Sequence, residues 1–184
     1  MSQYCIRIIL VLATGFAVLV QPGVLSAQEL DRYQVIVECT DTINRYAHTR
    51  DQLDAEGHAS LFTEDGVMEF GGSITGREAI AQRLRDNDGS AMTRHMSGSI
   101  VVSIDDNDGI TTHSYFHVFQ ANRPDSPGPL PAESYLMVEY DDELRMTDTG
   151  CKFAKREFKI IFMGQHSAAS SSLYRFITTR PIVR

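Results

Sequence analysis

The chain is poor in cysteine and has no basic stripe. Beyond its first 27 residues, no apolar run is long enough to cross a bilayer. Three cysteines are present, Cys5, Cys39 and Cys151, and no Cys-x-x-Cys or His-Glu-x-x-His spacing occurs, so the sequence offers no zinc site. The net charge is −7 and the cationic residues do not interleave with aromatics, which argues against a nucleic-acid partner. The one long apolar run, Ile8 to Val20, is short for a membrane span, which needs about 20 residues. With Arg7 before it, Pro22-Gly23 after it and small Ser26-Ala27 as a cleavage site, residues 1–27 read as a secretory signal peptide. An uncleaved anchor is the alternative; a lipoprotein anchor is not indicated, because no cysteine follows Ser26 or Ala27. Cleavage removes Arg7 and leaves about 157 residues with a charge of about −8, enough for one domain with a substantial core. The expected location is periplasmic or secreted, with no stable membrane span after cleavage. Such a compartment permits disulfides, so Cys39 and Cys151 are read either as a pair or as two separate buried thiols.

The residues that remain divide into a helical first part and a sheet-forming second part. Ile36, Cys39, Ile43, Tyr46 and Ala47 recur at helical spacing, giving the first helix one buried face that carries Tyr46. Asp51 lies about 140° further round, so it reaches that side only near the helix end. Asp54, before Ala55-Glu56, reads as the N-cap of a short second helix that closes at Leu61-Phe62. Thr63-Glu64-Asp65-Gly66 is expected to turn into a strand from Val67 to Phe70. Thr75 and Glu78 form a capping box for a third helix, which Asp86-Asn87-Asp88-Gly89 ends. Ser97 to Ile104 and Ile110 to Gln120 flank Asp105-Asp106-Asn107-Asp108-Gly109 as a hairpin. A loop with four prolines spans Pro124 to Pro131, followed by strands at Ala132 to Met146 and Cys151 to Met163. Beyond Gly164, residues 165–184 form a tail with a polar link and an apolar end, placed to cover a pocket mouth, add an edge strand or pack on a partner.

The stretch Tyr46 to Ile80, YAHTRDQLDAEGHASLFTEDGVMEFGGSITGREAI, resembles the opening of SnoaL-like proteins in the NTF2-like superfamily. With Arg94-His95 and the closing segment YDDELRMTDTGCKFAKREF, the resemblance covers roughly residues 30–163. It implies an α+β cone over residues 28–164, in which a curved, mainly antiparallel sheet and three N-terminal helices enclose an apolar pocket. It also implies a small apolar molecule as ligand and a homo-oligomer, dimer or trimer, formed across outer sheet faces. Where such sequences commonly carry tryptophan, this chain has Cys151. The pattern is most similar to the branch with scytalone dehydratase and the bile-acid 7-dehydratases, in which a Tyr and an Asp of the first helix region face a His of the sheet. The matching residues are Tyr46, Asp51 and His95.

Those side-chain types suit elimination of water from a hydroxyl β to a carbonyl. Imidazole can take the α-proton and return one to the departing hydroxyl near neutral pH. A carboxylate on its other nitrogen fixes the tautomer, and a phenol can polarise the carbonyl. No cofactor is called for. Each residue also has a plainer reading: Tyr46 as packing, Asp51 as a helix-end charge, His95 as a satisfied strand residue. On the strand His113 to Phe119, alternation puts His113, Tyr115, His117 and Phe119 on one face. Placing His117 in the pocket as a second histidine brings Tyr115 and Phe119 with it as ligand contacts, while His113 near the turn and His48 and His58 in the helices read as surface residues. Arg156 shares a face with Phe158, Ile160 and Phe162, so it must be paired or near solvent; it reads as a structural ion pair or as a contact to the polar end of a ligand. The function expected is a dehydratase or isomerase acting on a cyclic, mostly apolar hydroxy-ketone. A binding module without turnover and a dimerising interaction domain are the alternatives.

Overall fold

The computed structural model describes residues 27–123, 128–129 and 133–164. The expected signal peptide up to residue 26, most of the proline loop and the tail 165–184 lie outside them. Three helices, α1 (Ala27–Gln52), α2 (Ala55–Ala59) and α3 (Arg77–Arg85), pack against a curved, unclosed sheet. The strands are β1 (Phe62–Glu69), β2 (Ser73–Thr75), β3 (Ala91–Ile104), β4 (Ile110–Asn122), β5 (Glu133–Thr147) and β6 (Gly150–Met163), in the order β2-β1-β6-β5-β4-β3. All neighbours are antiparallel except β1 and β6, which run parallel, so the architecture is the expected α+β one with a mixed sheet. Among the described residues no helix is long and apolar enough to cross a membrane.

On α1 the positions that enter the core are Cys39, Thr42, Ile43, Tyr46, Ala47 and Thr49, spaced three and four apart as a helix facing a sheet requires; Ile36, expected on this face, is 37% exposed. The helix stops where Leu53 takes a left-handed conformation at φ 56°. Its N–H reaches the Arg50 carbonyl at 3.3 Å and the Asp54 N–H reaches Thr49 at 3.0 Å, a Schellman ending that fixes the last turn and with it Asp51. Asp54 then caps α2, its side chain accepting from the Gly57 N–H, as expected.

Two local expectations fail. Thr63 to Gly66 is not a turn but part of β1, whose pairing with β6 shifts between Phe62 and Val67. A Cβ at Gly66 would lie 2.9 Å from Phe62 Cβ and 3.1 Å from the Phe153 carbonyl, so the irregular stretch packs too closely for a side chain. The Thr75/Glu78 capping box does not form either. Thr75 pairs with Val67 in β2, and Gly76 at φ 87° occupies the N-cap position with no side-chain cap, while Glu78 binds Arg85 at 2.8 Å. The tight turn into α3 needs a positive φ, and glycine supplies it without strain.

Cys39 and Cys151 are joined in a disulfide across a sequence separation of 112, tying α1 to β6. Closing so long a loop typically adds about 2–4 kcal/mol. Dithiothreitol should therefore lower the melting temperature by roughly 10 °C. An unchanged melt with two titratable thiols would show that the bridge contributes nothing.

Candidate active site

His95 enters the site because β3 alternates: Thr93 and His95 turn towards the helices, whereas Arg94 and Met96 are exposed. Asp51, in the last turn of α1, meets that strand with both oxygens. Oδ1 lies 2.6 Å from His95 Nδ1 and accepts from the Thr93 hydroxyl at 3.0 Å; Oδ2 accepts from the His95 backbone N–H at 2.8 Å. The side chains of His95 and Asp51 are only 10% and 8% exposed. Burial alone would raise the carboxyl's pKa, but the hydrogen bonds from the His95 ring and backbone and from Thr93, with the charge of the imidazole, outweigh it and hold Asp51 below the usual aspartate value. An ionised carboxylate cannot donate, so Nδ1 is the donor to Asp51 and Nε2 is the ring nitrogen that Asp51 does not hold.

Tyr46 is buried on the neighbouring wall, and its hydroxyl donates only weakly, to Met68 Sδ at 3.9 Å. The His58 ring lies 4.4 Å from the Tyr46 ring, and the Arg156 guanidinium sits 4.0 Å from it. His58, expected at the surface, is 2% exposed. Its Nδ1 is 3.0 Å from the Thr49 hydroxyl, whose own proton goes to the Arg45 or Tyr46 carbonyl, so Nδ1 is the donor and Nε2 is left as an acceptor. Burial, and after it the positive fields of Arg50, Arg156 and His95, push its pKa down to about 3.

Tyr46, His58 and His95 line one cavity of about 320 Å³, together with Arg50, Arg83 and Tyr140 and an apolar wall that includes Phe70, Val118, Val138 and Phe158. Phe70 and Phe158 stack at 3.9 Å. A cavity of this size suits a compact ring system of a few fused rings. Burial raises the Tyr140 phenol above its ordinary pKa, so it stays protonated. Among the described residues, no group of three or more His, Cys, Asp or Glu is placed to hold a metal ion.

One expected catalytic residue, His117, and three expected ligand contacts, Tyr115, Phe119 and Arg156, are not in this cavity. His95 pairs with Val118 across the β3–β4 hairpin, and the inward series on β4 is Ile110, Thr112, Ser114, Phe116 and Val118. His117, Tyr115 and Phe119 therefore belong to the opposite, outer face, where the His117 ring stacks on Phe119 at 4.6 Å; a shift of one residue in strand phase moves a side chain through the sheet. Arg156 is 1% exposed and lies behind the cavity, clamped between the Tyr46 and Tyr140 rings at 4.0 and 3.9 Å with its Nε 3.6 Å from Asp142. It is a core ion pair, not a ligand contact. Burial raises Asp142 to about 6 against the opposing pull of Arg156 and the Thr112 hydroxyl. Reasoning from sequence missed His58, Arg50, Arg83 and Tyr140. For Arg50 a signal existed: it stands four residues after Tyr46, on the same helical face.

The family model for the SnoaL-like domain matches residues 31–157. No curated protein matches the chain. Among solved structures, Rv3472 from Mycobacterium tuberculosis is similar at 25% identity, with a TM-score of 0.62 over 77% of this chain and 78% of that one. An NTF2-like protein with a cystatin-like fold from Novosphingobium aromaticivorans aligns at 24% identity and TM-score 0.57, covering 82% and 98%. A structure from the same organism, described as a putative aromatic ring hydroxylase, aligns at 18% identity and TM-score 0.62, covering 76% and 97%. The last two likenesses are of fold.

Proposed function

The chain belongs to the SnoaL-like domain family, and from that premise we propose that it is an exported dehydratase or isomerase acting on a small cyclic hydroxy-ketone by proton transfer. The observation that carries this reading is the Asp51–His95 pair, held at 2.6 Å beside a tyrosine whose hydroxyl has, among the described residues, only a sulfur partner. His95 Nε2 takes the proton α to the ketone, and the electron pair moves onto the carbonyl oxygen, where the Tyr46 hydroxyl stabilises the enolate. The imidazolium, supported by Asp51, then gives its proton to the β-hydroxyl as the enolate collapses, releasing water and leaving an enone. The same two groups can instead return the proton to carbon, which gives isomerisation. Both reactions are redox-neutral. Asp51 acts through His95 and is a positioning residue.

Export is proposed on two grounds. Residues 1–27 have the signal-peptide pattern, and the Cys39–Cys151 disulfide suits an oxidising compartment.

The test is to incubate the protein with hydroxysteroids and hydroxylated ring ketones and follow loss of water by mass spectrometry. Turnover is expected for at least one, and Tyr46→Phe, which keeps the ring, should reduce kcat with little change in ligand affinity. If ligands bind and none loses water or shifts a double bond, the protein is a binding module.

A further inference from the structure

Among the described residues, surface arginines have acceptors of two kinds. Arg45, Arg77, Arg85 and Arg145 stand against carboxylates, at Asp41, Glu64, Glu56 with Glu78, and Asp65, while Arg32, Arg94 and Arg123 donate to the backbone carbonyls of Ile104, Thr93 and Gly89. The two that line the cavity, Arg50 and Arg83, have no carboxylate within ion-pair distance among the described residues. Exposed ion pairs contribute little, so acids near the surface arginines cost the chain nothing to place or to omit. A guanidinium on a cavity wall is different: it is partly desolvated, and leaving it unpaired has a cost. Arg50 is half-buried, and the carboxylate next to it in sequence is unavailable, because both oxygens of Asp51 are engaged by His95 and Thr93. Among the described residues no Asp or Glu lines the cavity, although the chain as a whole carries −7. The positive lining is therefore a local departure from an acidic protein, and it lies beside an apolar wall whose Phe70 and Phe158 stack at 3.9 Å.

We infer that the cavity takes a ring compound bearing a carboxylate, with Arg50 binding the carboxylate and Arg83 reinforcing it from the exposed edge of α3. This rests on the proposed hydroxy-ketone reading and narrows its substrate class. Arg50 follows Tyr46 by one helical turn, so a carboxylate held there fixes the end of the ligand nearest α1 and limits the ring positions that can reach Tyr46 and His95. A guanidinium is suited to this task because its planar fork matches a carboxylate in a bidentate contact.

The experiment uses the full chain with anthracene carboxylate and its neutral carboxamide, equal in ring size, titrated by fluorescence at low and high salt. The carboxylate should bind about tenfold more tightly than the amide, and the gap should narrow in high salt. Arg50→Gln should abolish the preference, Arg83→Gln should reduce it, and Arg50→Lys should retain part of it, which separates loss of charge from loss of fold. His95→Ala should keep the preference, because anchoring does not depend on proton transfer. Equal binding of acid and amide, a preference that survives Arg50→Gln, or binding of neither probe would overturn the inference. A clear acid preference in a protein that eliminates no water would leave the anchor standing and remove the dehydratase reading alone.

Discussion

His95→Ala should lower turnover of a hydroxy-ketone by about 10²- to 10⁴-fold, the usual contribution of a positioned acid or base, while the protein stays folded. The fold should tolerate the change because the strand contact survives: the His95 backbone N–H still donates to Asp51 Oδ2, and Thr93 still donates to Oδ1. What disappears is, among the described residues, the one cavity-lining histidine that a carboxylate holds. His58 cannot replace it, since burial keeps its pKa at about 3 and leaves it too weak a base to take an α-proton efficiently. Asp51→Asn should have a smaller effect on kcat, because the imidazole remains but loses the charge that selects its tautomer and stabilises the imidazolium. The two losses should not add, since Asp51 acts through His95, and the double variant should resemble His95→Ala. A full loss in Asp51→Asn with an unaffected His95→Ala would sink the assignment of roles.

The Asp51–His95 pair was expected from the resemblance to SnoaL-like proteins, and the residues themselves supplied only its helix end. A helix that must bury Tyr46 and stop before the Asp54 cap leaves Asp51 little choice of direction. His117 was not legible, because which face of β4 looks inward depends on how β3 and β4 register across a hairpin with a shift between Ser97 and Ile100. Alternation along a strand names two faces without saying which is the inner one. Arg156 was read correctly as needing a partner, but that partner, Asp142, comes from the neighbouring strand, beyond the reach of a single-strand pattern. The three-residue β2 and the strand character of Thr63 to Gly66 carry too few residues for a period to show. α2 has five residues, barely more than one turn, so nothing in its spacing distinguished the buried His58 from its exposed neighbour Glu56.

That buried histidine has the second large consequence, in acid. Its pKa is about 3 in the folded state against 6.5 for the free side chain, so below pH 6.5 the unfolded chain takes up a proton that the folded one refuses. The stability linked to neutral His58 is therefore complete above pH 6.5 and is lost as the pH falls towards 3, by roughly 3 kcal/mol at pH 4. Asp142 works in the opposite direction: with a folded value of about 6 against 3.8, it is protonated earlier in the folded protein and gains stability as the pH falls from 6 to 4. Asp51 adds nothing in this window, since its depressed value makes it lose stability only below 3.8. The wild-type curve thus sums two opposed trends, and His58→Leu removes one of them. Leucine matches the imidazole roughly in volume, and Thr49 keeps its bonds to the helix carbonyls, so the cost at pH 7 should be under about 1.5 kcal/mol. Urea midpoints with an unchanged slope should then show the variant gaining roughly 3 kcal/mol on the wild type between pH 7 and pH 4. Parallel curves across that range would mean that His58 titrates normally, which would place its ring in contact with solvent and not beneath Tyr46.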